Sequence, residues 1–513
     1  MAFQGEIYIK DGKIKELSEK VGFVKIIQNQ NEAVFDNAFA FPGFKDHHGH
    51  IVGFGRSLSL INFSDCSSAE ECCEMAVNSN KAFNEWIIGY GWNQEKWAET
   101  DLPRKEIIDK YFPDNPVYFV RVDGHSAWVN SKALELAGIS SNPKNPEGGE
   151  ILLDESGYPT GILIDNAMEL VNSLIPKLSD NHIKTFIQIA VDQLIAYGIT
   201  EVDDMDVDPN FIPLFKDLDS SNQLKIKVNS FVKAQNDEYL KNKITPKQFK
   251  NFNIKGIKFY SDGALGSYGA AMIKPYSDNK RSSGLLLISY EDLLEKSKKG
   301  IDLGFSIATH SIGDLANRLV IDVYSKLFEI FQNENIELRI EHAQIIHPED
   351  LKKIGFLSDK GHRIIASVQP IHCISDANMA RKRLGRRTRN SYLWKSLMEK
   401  GAKLIFGSDF PIESPDPLLG IDALINRIPF SETKSWLERE TIDLLDALNG
   451  YQSDLFRNNY SSKQLNKNLP ADITILDKNL FELNSKNIKS AKVVATFVNG
   501  NRVFLNPDYA LEK

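Results

Sequence analysis

The chain opens on an alternation, Ile7 and Ile9, then Asp11-Gly12-Lys13, then Ile14, which predicts a β-hairpin closed by an Asp-Gly turn. The closing segment repeats that style, with Asp472-Ile473-Thr474-Ile475-Leu476, then Val493 to Val498, then the turn Asn499-Gly500-Asn501 before Val503 and Phe504. Both ends therefore read as β-structure. Between about 180 and 430 amphipathic helices alternate with short apolar runs, as βα units around a parallel sheet require. Ile183, Phe186, Ile187, Ala190, Val191, Leu194 and Ile195 fall on one helical face, Gly198 stops the helix, and Ile199-Thr200-Glu201-Val202 starts a strand. Further strands are predicted at 256–260, 305–309, 338–341, 364–368 and 404–406.

Most of these strands end on a residue of chemical interest: Lys258, His310, His342, Gln369 and Asp409. A (β/α)8 barrel assembles its active site from the C-terminal ends of its strands and fills its interior with packed aliphatics, so the expected fold is an α/β barrel. The stretch 60–180 is less regular and rich in aromatics, and reads as an insertion over the barrel mouth. No internal repeat, low-complexity tract or flexible linker interrupts the pattern.

The sharpest chemical feature is PGFKDHHGH, residues 42–50. Residues i and i+2 of a strand point to one side, so His48 and His50 can share one metal ion. Taken alone the pair also describes a polar loop with incidental histidines, since His47 shows that histidine is locally abundant. His310 in SIATHSIGD, His342 in LRIEHAQ and Asp409 in FGSDFP, at the ends of later strands, favour the metal. Nitrogen and carboxylate donors suit zinc best, with manganese, iron or nickel open, and one or two ions are expected.

Lys258 in GIKFYSDGALGS is either a buried cation paired with Asp262 or another carboxylate, or a lysine carboxylated by carbon dioxide into an anionic oxygen ligand. Asp409 suits both metal ligation and proton transfer, because a divalent cation lowers the pKa of water to about 7 and a nearby carboxylate can then take its proton. Its bland alternative is a cap on the loop entering Pro411. GYGWNQEKW (89–97), RVDGHSAWVNS (121–131) and VQPIHCISD (368–376) combine aromatics with directional polar groups. Trp92, Asp123, His125, Asp262 and Gln369 are the candidate substrate contacts, against a core role for the aromatics. A P-loop, a GxSxG elbow, a GxGxxG after a strand and HExxH are all missing.

Sixty-one basic against 69 acidic residues in 513 give a net charge of -8, which offers nucleic acid no broad basic surface. No apolar run approaches the roughly 20 residues that cross a bilayer, and the charged N-terminus is unlike a signal peptide, so the expected location is the cytoplasm, away from membranes. Cys66, Cys72, Cys73 and Cys373 are too few and irregular for a disulfide framework and read as reduced, mostly buried thiols. The expected partners are a small-molecule substrate and, at most, a second copy of the chain as a homodimer.

Eight segments in order, among them PGFKDHHGH, GWNQEKW, RVDGHSAWVNSKALELAGI, GIKFYSDGALGS, THSIGD, RIEHAQ, SVQP and FGSDFP, resemble the amidohydrolase superfamily, specifically amidohydrolase family 3, the YtcJ-like branch. The resemblance implies a distorted TIM barrel at 43–431 and a small β-sandwich domain from 1–42 plus 432–513. It implies His48 and His50 as the first metal pair, Lys258 as the candidate carboxylated lysine, His310 and His342 as later ligands, and Asp409 as ligand and general acid/base. The activity implied is hydrolysis of carbon-nitrogen bonds other than peptides, such as N-substituted amides and formamides. A catalytically silent metal- or ligand-binding barrel and an aromatic-amine deaminase are the rival readings. The chain departs from the pattern in a short N-terminal sheet, and in Lys45-Asp46-His47, where relatives carry an aliphatic, Asp and a small residue.

Overall fold

A computed structural model describes residues 2–29, 31–79, 85–332, 336–453 and 465–511. Eight parallel strands form a nearly closed barrel: β1 (Phe44–Gly49), β2 (Ile199–Val207), β3 (Lys227–Lys233), β4 (Phe252–Tyr260), β5 (Ser306–Ser311), β6 (Leu338–His342), β7 (Ile365–Val368) and β8 (Lys403–Phe406), hydrogen-bonded in that order. Just past β8 the Asp409 N–H donates to the His48 carbonyl across 2.7 Å, and Gly49 forms a parallel bridge with Phe410. The register sets Tyr260 beside His310 and Ser311 beside His342, which brings the strand ends to one level. The strand after Gly198 lies where the pattern predicts it, and Gly198 itself adopts the left-handed φ of 77° that a helix C-terminal stop requires. Strand β3 was not predicted.

The two chain ends supply two four-stranded sheets. In one, Lys13–Glu19, Gly5–Lys10, Phe23–Gln28 and Asn31–Asp36 lie side by side; in the other, Asn501–Leu505, Val493–Val498, Ile473–Leu476 and Phe39–Pro42. Both predicted turns have two positive-φ residues in succession, 52° and 70° at Asp11-Gly12 and 48° and 78° at Asn499-Gly500, the requirement of a type I′ hairpin. The sheets share one apolar core, in which Ile7, Ile26 and Phe35 meet Ile473 and Phe497.

The chain divides into two compact units, Met1–Phe54 with Ala190–Lys513, and Gly55–Ile189. The second contains a six-stranded sheet of its own, including Ile87–Trp92, Val117–Arg121, Ser126–Val129 and Pro159–Asp165. All four cysteines are free and buried, as expected of thiols in cores. No helix of the described residues is long and apolar enough to cross a membrane.

Candidate metal centre

His48 of strand β1 and His50, just past its end, both reach Asp409. The Nδ1–H of His48 donates to Glu341 Oε2 at 2.6 Å, and His50 Nδ1 lies 3.0 Å from the Met205 carbonyl, which can only accept. With the ring protons placed there, both Nε2 atoms are bare. They face Asp409 Oδ1, at 3.4 Å from His48 and 3.0 Å from His50. Three acceptors converging on one point need a proton or a cation between them.

The same carboxylate has a second side. Asp409 Oδ2 lies 3.9 Å from Nε2 of His372, a residue the sequence reading passed over, and His372 stacks on His342 with ring centroids 6.0 Å apart and planes within 7°. His342 ends β6 at a φ of 71°, and Ala343 follows at 42°, two non-glycine residues in the left-handed region held by the barrel around them. His310 packs edge-on against His342 at 4.4 Å between centroids. His310 Nε2, His342 Nδ1 and His372 Nε2 are all buried with no hydrogen-bond partner among the described residues. Buried polar atoms are rarely left so, and each could offer its lone pair to a metal.

Electrostatics treats the set unevenly: burial presses the His50 imidazole down, but its hydrogen bond to Asp409 outweighs that and pushes its pKa up, toward the charged form, whereas the others are held neutral. Burial pushes the His48 and His342 imidazoles below their ordinary pKa and His310 down to about 3, which keeps them neutral, the ligating form. Burial alone would raise Asp409, but the positive charge that His48, His50 and His342 carry when protonated outweighs that and holds its carboxyl well below the usual range. Lys258 is buried under the same site, its Nζ 4.6 Å from the Tyr260 ring centroid, and desolvation pushes its ammonium pKa down against the pull of Glu341, Asp409 and Asp206. A divalent cation fits this donor set.

The expectation of an aliphatic barrel interior is corrected by the structure. Arg339 of β6 donates to Glu341 Oε1 on its own strand (2.8 Å), and to Asp203 Oδ2 of β2 (2.6 Å) and the His47 carbonyl of β1 (2.6 Å), the last two joining non-neighbouring strands across the interior. Lys45 pairs with Glu201 and Asp203, each at 2.9 Å, and Asn229 of β3 donates to both carboxylates. The departures at Lys45 and His47 thus belong to this network: His47 Nδ1 lies 3.2 Å from Asp203, and its Nε2 3.2 Å from the Gln452 carbonyl. One end of the network is Glu341, which fixes the His48 ring.

Comparison with known proteins bears on what such a barrel does. The sequence profile described as "Amidohydrolase family" matches residues 36–504. The chain belongs to the amidohydrolase family. It is 31% identical to "Protein LONG AFTER FAR-RED 3" of Arabidopsis thaliana, over 98% of this chain and 89% of that protein, and 29% identical to "Putative amidohydrolase YtcJ" of Bacillus subtilis, over 97% and 95%. A more distant relative, at 24% over 59% of this chain and 58% of its own length, is "N-substituted formamide deformylase" of Arthrobacter pascens. Among solved structures, an uncharacterized metal-dependent hydrolase from Pyrococcus horikoshii superposes with a TM-score of 0.74 at 26% identity, covering 94% of this chain and 98% of that one. This amidohydrolase is therefore a hydrolase acting on carbon-nitrogen bonds.

The remaining residues predicted for the amidohydrolase site fall into different surroundings. Gln369 is buried at the end of β7, immediately before the helix Pro370–Ser375 that carries His372. Asp262 is not paired with Lys258 in a salt bridge; it accepts N–H bonds from Ala271, Ile312 and Gly313, and one oxygen lies 3.7 Å from His310 Nε2. Buried and occupied in this way, it ties together the loops at Ala271 and Ile312-Gly313. In the second unit Trp92 is fully buried, donates Nε1–H to the Phe119 carbonyl and packs edge-on against Trp128, so it is a core residue there and not a pocket wall. Asp123 accepts from Arg121, and His125 is exposed and bonded to Asp165 at 2.9 Å.

Proposed function

We propose that this amidohydrolase cleaves an N-substituted amide or formamide, with His48, His50 and Asp409 as the heart of a zinc-type metal centre and Asp409 as the general acid/base. The observation that carries the reading is the convergence of two bare imidazole nitrogens on Asp409 Oδ1 while Oδ2 points elsewhere. His310 and His342 add neutral nitrogen donors, and Lys258 joins the donor set only as its carbamate, which a desolvated and hence more readily neutral amine favours. A divalent cation held there would supply Lewis acidity to the substrate carbonyl and acidify the attacking water.

Everything else falls to the chain's own groups. Asp409, held ionised, accepts the proton of the attacking water and returns it to the leaving nitrogen. Glu341 holds the His48 ring, and Gln369 at the β7 end provides a side-chain amide for orienting a polar substrate group. We read the strand assembly as a distorted TIM barrel, with the terminal sheets as its small sandwich domain. The distant deformylase relative supports the choice of formamides as first substrates.

The test is a panel of N-formyl, N-acetyl and N-acyl amines, with lactams and aromatic amines included, analysed by mass spectrometry for the released acid and amine. Formate or carboxylate with an equimolar amine is the expected result. Ammonia from an aromatic amine would replace this reading with deamination, and a metal-loaded protein inert to the whole panel would favour a silent barrel.

A further inference from the structure

The unit Gly55–Ile189 contains a cavity of 470 Å³ of its own, lined throughout by residues of that unit and by none of the candidate metal ligands. Such a volume lies near the lower end of the roughly 300–1,000 Å³ of small-molecule sites and suits a compact ligand. Its floor is one face of the six-stranded sheet. Alternate residues of a strand share a face, and the parallel register sets Ile88 beside Tyr118 and Tyr90 beside Val120, so two tyrosines and two aliphatics form one patch. The intervening Ile87, Val117 and Phe119 belong to the core on the other side of the sheet.

Tyr118 is the residue that asks for a ligand. It is only 5% exposed, yet its hydroxyl has no hydrogen-bond partner among the described residues. Burial, reinforced by the charge of Glu169, pushes the phenol up to about 12, so it stays a donor. A buried hydroxyl left open in this way needs an acceptor from outside the chain. Charges of both signs line the same cavity without meeting. Arg56 makes no ion pair among the described residues. Glu169 uses Oε2 for Asn172 at 2.9 Å, and Asp165 uses Oδ1 for His125 at 2.9 Å, which leaves a second oxygen on each. A cation and carboxylates that border one space apart from one another match a ligand carrying both charges. We infer that this cavity binds a free α-amino acid with an apolar side chain. The guanidinium of Arg56 and the hydroxyl of Tyr118 take its carboxylate, Glu169 takes its ammonium group, and the patch around Ile88 and Val120 takes its side chain.

Isothermal titration calorimetry of the full chain tests this with L-phenylalanine and L-leucine, in chelator-stripped and in zinc-loaded protein. The comparison ligands are phenylacetate, which lacks the ammonium group, phenethylamine, which lacks the carboxylate, and glycine, which lacks the apolar side chain. The variants are Arg56→Met, Tyr118→Phe and Glu169→Gln, each checked for its fold by far-UV circular dichroism. The expected result is saturable binding of at least one of the two amino acids with or without zinc, about tenfold or more tighter than any comparison ligand, and about tenfold or more weaker in each folded variant. No binding of either amino acid, equal binding of a comparison ligand, binding that requires the zinc, or an affinity unchanged in a folded variant overturns the inference. If Tyr118→Phe fails to fold, Arg56→Met, at an exposed position, decides by the same criterion.

Discussion

His48 and Glu341 are joined by a 2.6 Å hydrogen bond whose acceptor carboxylate is held on its other side by Arg339 at 2.8 Å. The bond fixes the His48 ring proton on Nδ1 and leaves Nε2 facing Asp409. Carboxylates behind ligating histidines typically affect metal affinity by 10–100-fold. Glu341→Gln keeps an oxygen for His48 but turns an amide N–H₂ toward Arg339 and removes the charge. Competition with a chromophoric chelator should show metal affinity lowered by about one to two orders of magnitude. Unchanged affinity would mean that the carboxylate serves only the interior network.

Acid should weaken the metal-free protein through the same residue. Burial opposes ionisation of Glu341, but Arg339 and His48 outweigh it and bring its pKa from 4.5 to about 2. A folded pKa below the unfolded one gives stability that is full above 4.5 and lost as pH falls toward 2. Asp204 has the opposite sign. It is buried, with one oxygen accepting the Ile51 N–H, and burial raises its pKa from 3.8 to about 7. Its contribution is full below 3.8 and lost as pH rises to about 7. Asp204→Asn retains the acceptor oxygen and should gain stability relative to wild type between those values, read as a rising difference in urea midpoint.

Arg339 is fully buried and compensates Asp203 and Glu341 at once. Removing one partner from a buried charge network typically costs about 3–5 kcal/mol, because the remaining charges stay desolvated. Arg339→Met should fall in that range by chemical denaturation. A loss below about 1 kcal/mol, the size of an exposed pair, would contradict the interior placement.

Gly407 lies where β8 closes on β1. A Cβ there would sit 2.4 Å from the His48 backbone nitrogen and 2.8 Å from Asp46 Oδ1. Neither backbone nor the bonded carboxylate can yield cheaply, so Gly407→Ala should displace the strand carrying His48. Metal affinity is expected to fall by at least tenfold alongside a lower melting temperature. A variant with wild-type affinity would show that the barrel closes with slack at this seam.

Much of this architecture is legible in the sequence because its signals are local. The two Asx-Gly turns demand positive φ at two successive residues, and the strand-end positions of His310, His342 and Asp409 follow from apolar runs of defined length. Strand β3 escapes for a physical reason: its sequence KVNSFVK carries Asn229, which donates to the carboxylates of Glu201 and Asp203 on the neighbouring strand β2, so the apolar run is broken by an interior polar position. Glu341 and Arg339 are hidden likewise, since charged residues beside a histidine read as solvent-facing until the interior is known to be ionic. His372 lies one turn into a helix past its strand, outside the strand-end rule. The signal that could have found it is its own segment, VQPIHCISD, where Gln369 drew the attention. Trp92 and Asp262 were legible as residues but not as roles, because nothing in a sequence distinguishes a core indole from a pocket wall.

In the proposed mechanism, turnover depends on a metal held by His48, His50 and Asp409. The direct measurement is the rate of amide or formamide hydrolysis by chelator-stripped protein as zinc is added back, for wild type and for His48→Ala with His50→Ala, with bound metal quantified in the same samples. The expected result is negligible rate without metal, a rise that saturates at about one to two equivalents in wild type, and no recovery in the double variant. Turnover by the metal-free wild type, or full recovery in the double variant, would contradict it.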